Sequence, residues 1–132
     1  MSEDKKNKII IVDDDDFLVD MYSHKFATSD VSVVVCKSGK ELIEKLNAGE
    51  TADLILLDIV LPELDGLETL EHIRKNNLAE DIPIVMLTNQ SEEGDTKRAD
   101  ALGVAGYLIK ASATPSEVVE QALKIMKKFS PK

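Results

Sequence analysis

Four short apolar runs in this sequence end on residues that could do chemistry. IIIV at 9–12 runs into Asp13, Asp14, Asp15 and Asp16; LILL at 54–57 ends on Asp58; IVML at 84–87 ends on Thr88; and YLI at 107–109 ends on Lys110. Singly, each has an ordinary structural explanation. Acids suit a helix N-terminus, an aspartate suits a turn, a lysine can snorkel from a strand end, and threonine is a good β-former. Together, carboxylates, a hydroxyl and an ammonium make poor core material. Carboxylates a few ångström apart repel one another and raise one another's proton affinity unless a cation sits among them. An oxygen-only set without His or Cys favours a hard ion, so Mg²⁺ is the expectation and zinc is disfavoured. Magnesium beside a carboxylate, with a lysine and a threonine hydroxyl opposite, suits neutralising the oxygens of a phosphoryl group in transfer. The carboxylate can then act as nucleophile and form an acyl phosphate.

For that chemistry the fold must bring the run ends to one rim. Five strands are expected: 8–13, 31–36, 53–58, 82–88 and 106–110. IIIV and LILL show no period-2 alternation, which marks strands covered on both faces, as in a parallel sheet sandwiched by helices. The segments between read as amphipathic helices. Leu18, Met21, Tyr22 and Phe26 form one stripe; Leu42, Ile43 and Leu46 a second; Leu67, Leu70 and Ile73 a third. Thr114-Pro115-Ser116-Glu117 is a helix start, with Thr as N-cap, Pro at the first position and Glu three residues after the cap. Val118, Val119, Ala122, Ile125 and Met126 then supply a buried face. The segment from Glu92 to Leu102 should be the least secure helix, with Gly94 in its first turn and little apolar beyond Ala99, Ala101 and Leu102. Strand and helix alternating five times predicts an α/β, flavodoxin-like doubly wound (βα)5 domain. Its five-stranded parallel sheet carries helices on both faces, and 2-1-3-4-5 is the expected order, that of the common five-stranded example of such sheets. Ligands in such sheets sit outside the carboxyl ends of the strands, where strand order reverses.

Composition narrows the function. At 132 residues there is room for one domain with its own core. The formal net charge of −9 argues against direct binding of nucleic acid, which needs Lys and Arg to displace counterions. Cys36 is the only cysteine, so an intrachain disulfide and a cysteine metal site are both excluded. The polar start MSEDKKNK and the short apolar run after it supply neither a signal peptide nor a membrane span. A cytoplasmic protein is expected. His24 and His72 lack a second His at i+4 and read as exposed helix positions, and Cys36 as a small apolar filler.

IIIVDDD, LILLDIVLPELDG, IVMLTN and GYLIK, in this order and spacing, resemble the receiver domains of two-component response regulators, from about Lys8 to Lys128. The resemblance implies a polar leader at 1–7, a single receiver domain at 8–128 and a tail at 129–132. It makes Asp58 the phosphoacceptor. Asp14 would bind Mg²⁺ directly, Asp13 through water, and Val60 through its backbone carbonyl. Lys110 would pair with a phosphoryl oxygen and Thr88 would hydrogen-bond to another. Tyr107 falls at the aromatic position that swings inward as Thr88 moves, and Pro62 and Gly66 match the loop after the acceptor. The implied partners are a sensor histidine kinase or histidine phosphotransfer protein and a downstream protein target. The phosphate would come from a phosphohistidine and be lost later by hydrolysis, with no independent substrate turned over. The least secure helix would serve as the switch element, with output through the surface formed by it, the fifth strand and the last helix.

The sequence also departs from the family. Ala111 stands where a cis proline usually follows the lysine; a cis bond before Ala costs roughly 2.5–4 kcal/mol, so a trans Lys110-Ala111 bond is expected. Asn89 replaces a commonly smaller residue, and slower phosphotransfer is the expectation. Asp15 and Asp16 read as the cap and first turn of the first helix rather than as ligands. The chain ends shortly after the last helix, from which no attached effector domain is expected. Readings from other classes remain open. An aspartate-nucleophile phosphatase of the haloacid dehalogenase type would use Asp13, with Asp15 completing D-x-D. A flavodoxin-like electron carrier is disfavoured, because DDDD would repel a flavin phosphate. A receiver-like interaction module that is never phosphorylated would keep all of these residues.

Overall fold

A computed structural model of the chain describes residues 7–89, 93–110 and 113–129. Five strands and five helices alternate: β1 Asn7–Val12, α1 Asp16–Ala27, β2 Val31–Cys36, α2 Gly39–Asn47, β3 Leu54–Asp58, α3 Gly66–Lys75, β4 Ile84–Thr88, α4 Glu93–Ala101, β5 Gly106–Ile109 and α5 Pro115–Lys128. All pairings are parallel and the sheet order is β2-β1-β3-β4-β5, as expected. Strand bounds differ from expectation by two residues or fewer. The largest difference is at β4, which begins after Pro83, a residue with no N–H for the ladder.

The unalternated runs are buried as their composition requires. Ile9 to Val12, Leu54 to Asp58 and Ile84 to Thr88 are buried throughout. Odd and even residues supply two separate cores. Ile10, Val12, Ile55, Leu57, Ile84 and Met86 face α2, α3 and α4, whereas Ile9, Ile11, Leu54, Leu56, Val85 and Leu87 face α1 and α5. Each such side chain contributes roughly 1.5–3 kcal/mol when fully buried, so the three central strands anchor the whole domain.

The helix stripes are largely as expected. Tyr22, Phe26, Leu42, Leu46, Leu67, Leu70 and Ile73 are buried. In α1 the buried face is turned slightly, taking in Val19 and leaving Leu18 and Met21 half-buried. The start of α5 is the expected one: Thr114 accepts from the Glu117 N–H, Glu117 reaches back to the Thr114 N–H, and Pro115 opens the helix. In α4 only Ala99 is buried, and Ala101 is exposed. His24 and His72 are exposed. Cys36 is buried, and burial pushes its thiol up to about 12, so it is an inert filler. Among the described residues no helix is long and apolar enough to cross a membrane.

Candidate functional site

The carboxyl ends of β1, β3, β4 and β5 meet at one rim, and the four aspartates divide there. Beyond the last residue of β1, the Asp13 N–H donates to the Cys36 carbonyl at 3.0 Å, carrying the ladder one residue further. That bond keeps Asp13 inside, fully buried. Its Oδ1 accepts from the Asp15 N–H at 3.0 Å, which turns the chain and leaves Asp14 exposed. Asp15 is the N-cap of α1, accepting from the N–H groups of Phe17 at 3.1 Å and Leu18 at 3.2 Å. Asp16 opens the helix and pairs with Lys37. Asp13 and Asp14 thus stand at the strand end, whereas Asp15 and Asp16 begin α1.

Asp58 ends β3 beside Leu87 of β4 and is 5% exposed. Its Oδ1 accepts from the Val60 N–H at 3.2 Å, and its Oδ2 from Lys110 Nζ at 2.9 Å. The same ammonium donates to Asp13 Oδ2 at 2.8 Å, and the lysine side chain is only 7% exposed. Lys110 lies one residue past β5 and is no snorkelling surface lysine. It bridges two buried carboxylates, so the protein supplies a cation of its own among them.

The electrostatics follow from this burial. Desolvation pushes the Asp58 carboxyl up to about 6; the hydrogen bond from Lys110 works against that, and the neighbouring charge of Asp13 adds to it. Burial pulls the Lys110 ammonium down, but hydrogen bonds to Asp13 and Asp58 outweigh it and hold the group above its usual value. Carboxylate oxygens of Asp13, Asp14 and Asp58 all lie within 4.8 Å of one another. Two are buried and one is exposed, an all-oxygen set open to solvent on one side. Such a set fits a hard divalent cation such as Mg²⁺.

Thr88 closes β4 and is buried. Tyr107 of β5 packs against the core that includes Met86 and Ala99, and its hydroxyl is buried without a hydrogen-bond partner among the described residues. Val60 is 66% exposed, and its backbone N–H is the group that contacts Asp58. Gly66 opens α3 directly beneath the site: its N–H donates to the Ile59 carbonyl at 2.7 Å, and a Cβ there would lie 2.1 Å from the Asp58 carbonyl oxygen. The Lys110-Ala111 bond lies outside the described residues. The sequence reading missed Lys37, which immediately follows the last residue of β2 and was within reach of the strand-end criterion that found the others.

A family model described as response regulator receiver domain matches residues 9–123. The chain is 34% identical over 121 residues to the alkaline phosphatase synthesis transcriptional regulatory protein PhoP of Bacillus subtilis, covering 92% of this chain and 49% of that protein. It thus spans about half the length of the curated relatives it matches. Among solved structures, it is similar to a receiver domain protein of Methanospirillum hungatei (TM-score 0.84, 23% identity, 95% of this chain and 97% of that one). It is also similar to the phosphorylated cyanobacterial phytochrome response regulator RcpA (TM-score 0.81, 28% identity, 95% and 94%). With the family matched over most of its length and the strand order in agreement, this chain belongs to the response regulator receiver domains of two-component signalling.

Proposed function

We propose that this receiver accepts a phosphoryl group on Asp58 from a phosphohistidine of a sensor kinase or histidine phosphotransfer protein. The observation that carries the reading is Lys110 bridging buried Asp13 and Asp58 at 2.8 and 2.9 Å, beside exposed Asp14. In transfer, an Asp58 carboxylate oxygen attacks phosphorus, the P–N bond breaks, and its electron pair stays with the imidazole nitrogen, which takes up a proton. The Val60 N–H and the Lys110 ammonium hold the Asp58 carboxylate in place for in-line approach. As charge grows on the phosphoryl oxygens, Lys110 is placed to exchange one carboxylate contact for one of them. Thr88, buried at the end of the adjacent strand, would offer its hydroxyl to another. Asp13, Asp14, Asp58 and the Val60 carbonyl would hold Mg²⁺, whose chemistry is to neutralise phosphoryl and carboxylate charge.

The relative RcpA was solved phosphorylated, which supports the reading without extending it to this chain. On this reading the protein is a signalling switch that handles only its own acyl phosphate. The signal passes through α4, β5 and α5. α4 is thinly packed, and the Tyr107 hydroxyl is buried without a hydrogen-bond partner among the described residues. Incubation with a small phosphodonor and Mg²⁺, followed by intact-mass measurement, should show the mass of one phosphoryl group on the wild type and none on Asp58→Asn. Label retained by Asp58→Asn but lost by Asp13→Asn would favour the phosphatase-type nucleophile instead. Amide exchange over 93–110 unchanged by a phosphoryl mimic would remove the output surface.

A further inference from the structure

The least secure helix enters the core through Ala99 alone and is also tied to its neighbour α3. With only Ala99 buried, apolar burial does little to fix α4. Side chains of α3 reach toward it. Arg74 donates from Nε to the Leu102 carbonyl at 2.7 Å and from Nη2 to the Gly103 carbonyl at 3.1 Å. These carbonyls belong to the turn that follows Ala101, the last residue of α4, just beyond the end of the helix that favours a cation. A second link, Arg98 Nη2 to Glu71 Oε2 at 2.8 Å, joins the same helices, but both side chains are about half exposed and the pair contributes little.

The other end of α3 is fixed beneath Asp58 by Gly66, whose N–H bonds to Ile59 and whose Cα leaves no room for a methyl group against the Asp58 carbonyl. A single helix of 10 residues therefore touches the Asp58 backbone at one end and holds the turn after α4 at the other. We propose that Arg74 is a latch, which holds α4 in the arrangement of the unmodified protein and which charge gained at Asp58 opposes through α3. The latch deepens the function proposed above and rests on it for the identity of the group that gains charge. Coupling between sites requires an element with two arrangements, and the latch assigns that role to α4, a thinly packed helix whose following turn is held by two charge-assisted hydrogen bonds. Coupling is reciprocal, so if phosphorylation opposes the latch, loss of the latch favours phosphorylation.

The test compares wild type, Arg74→Gln and Arg74→Lys by hydrogen exchange and by labelling with a small phosphodonor and Mg²⁺. In the unmodified protein, Arg74→Gln should speed exchange over 93–104 by about tenfold or more, the range expected when charge-assisted hydrogen bonds are lost. Exchange in α1 and α5 should stay as in wild type, Asp58 should label faster, and Arg74→Lys, which keeps charge but loses the fork, should fall between. Exchange over 93–104 within about twofold of wild type would overturn the latch. So would a uniform rise across all helices, which would mark a plain loss of stability. Faster exchange with an unchanged labelling rate would overturn the coupling to Asp58. A wild type that takes no label sinks the phosphoacceptor reading and the coupling with it, whereas the exchange data decide the latch independently.

Discussion

A methyl group on Gly66 would lie 2.1 Å from the carbonyl oxygen of Asp58 and 2.8 Å from Cα of Ile59. The constraint is room: α3 starts directly against the backbone that carries the candidate nucleophile. Gly66→Ala must push one away from the other. The expected cost is about 1–3 kcal/mol, typical of overpacking. Labelling of the folded variant should fall further than stability does, because a displacement of about 1 Å at a reacting group costs on the order of 100-fold. Urea denaturation and labelling rate, measured on the same preparation, check both. A wild-type rate from a destabilised variant would show that α3 does not position Asp58.

Asp58 should work against folding at neutral pH when no divalent ion is bound. Burial, only partly offset by Lys110, raises its pKa from 3.8 to about 6. A carboxyl raised in the folded state binds its proton more tightly there than in the unfolded chain. Its contribution is therefore fully present below 3.8 and is lost as pH rises through about 6. In chelator, Asp58→Asn should be more stable than wild type at about pH 7.5, by on the order of 1–3 kcal/mol. The gap should close as pH falls through 3.8, below which Asp58 is increasingly protonated in both states. A gap independent of pH would place its origin elsewhere.

Lys110 has two buried anions to itself, and removing it should be costly. Lys110→Met leaves Asp13 and Asp58 buried without their shared donor, the situation in which breaking a buried pair costs about 3–5 kcal/mol. Protonation of the abandoned Asp58 carboxylate relieves part of that cost. The destabilisation should therefore be smaller at about pH 5 than at about pH 7.5. Lys110→Arg should not restore wild-type stability, because a planar fork does not replace a compact ammonium between two oxygens. Denaturant midpoints at the two pH values decide it.

How much was legible in the sequence depended on how local the cause was. The caps at Thr114 and Asp15 were readable because they involve residues two or three apart. The strand ends were readable because a parallel sheet aligns them whatever the loops do. What escaped depends on distant partners. Lys110 meets Asp13 across 97 residues and Arg74 meets Leu102 across 28, and composition says nothing of either. The buried face of α1 turned toward Val19 because packing against the sheet and α5, rather than periodicity alone, sets a helix's rotation. Gly66 was recognised by its place in a loop motif, but the close approach that demands glycine appears only in three dimensions.

The four consecutive aspartates give a last and separable prediction. Asp14 is exposed and belongs to the three-carboxylate cluster; Asp15 is exposed and caps α1. Asp14→Asn should leave stability in chelator within about 0.5 kcal/mol of wild type, as exposed substitutions do, and abolish most of the gain from Mg²⁺. For wild type that gain is about 2.7 kcal/mol when Mg²⁺ is at a hundred times its dissociation constant. Asp15→Ala should do the reverse, losing about 1 kcal/mol with the cap in chelator and keeping the response to Mg²⁺. Asp16→Ala should change either quantity little, because its ion pair with Lys37 is exposed. Thermal denaturation across a Mg²⁺ titration separates the three. A variant at Asp15 that lost the Mg²⁺ response while the one at Asp14 kept it would exchange their roles, and with them the direction in which the cluster opens to a phosphodonor.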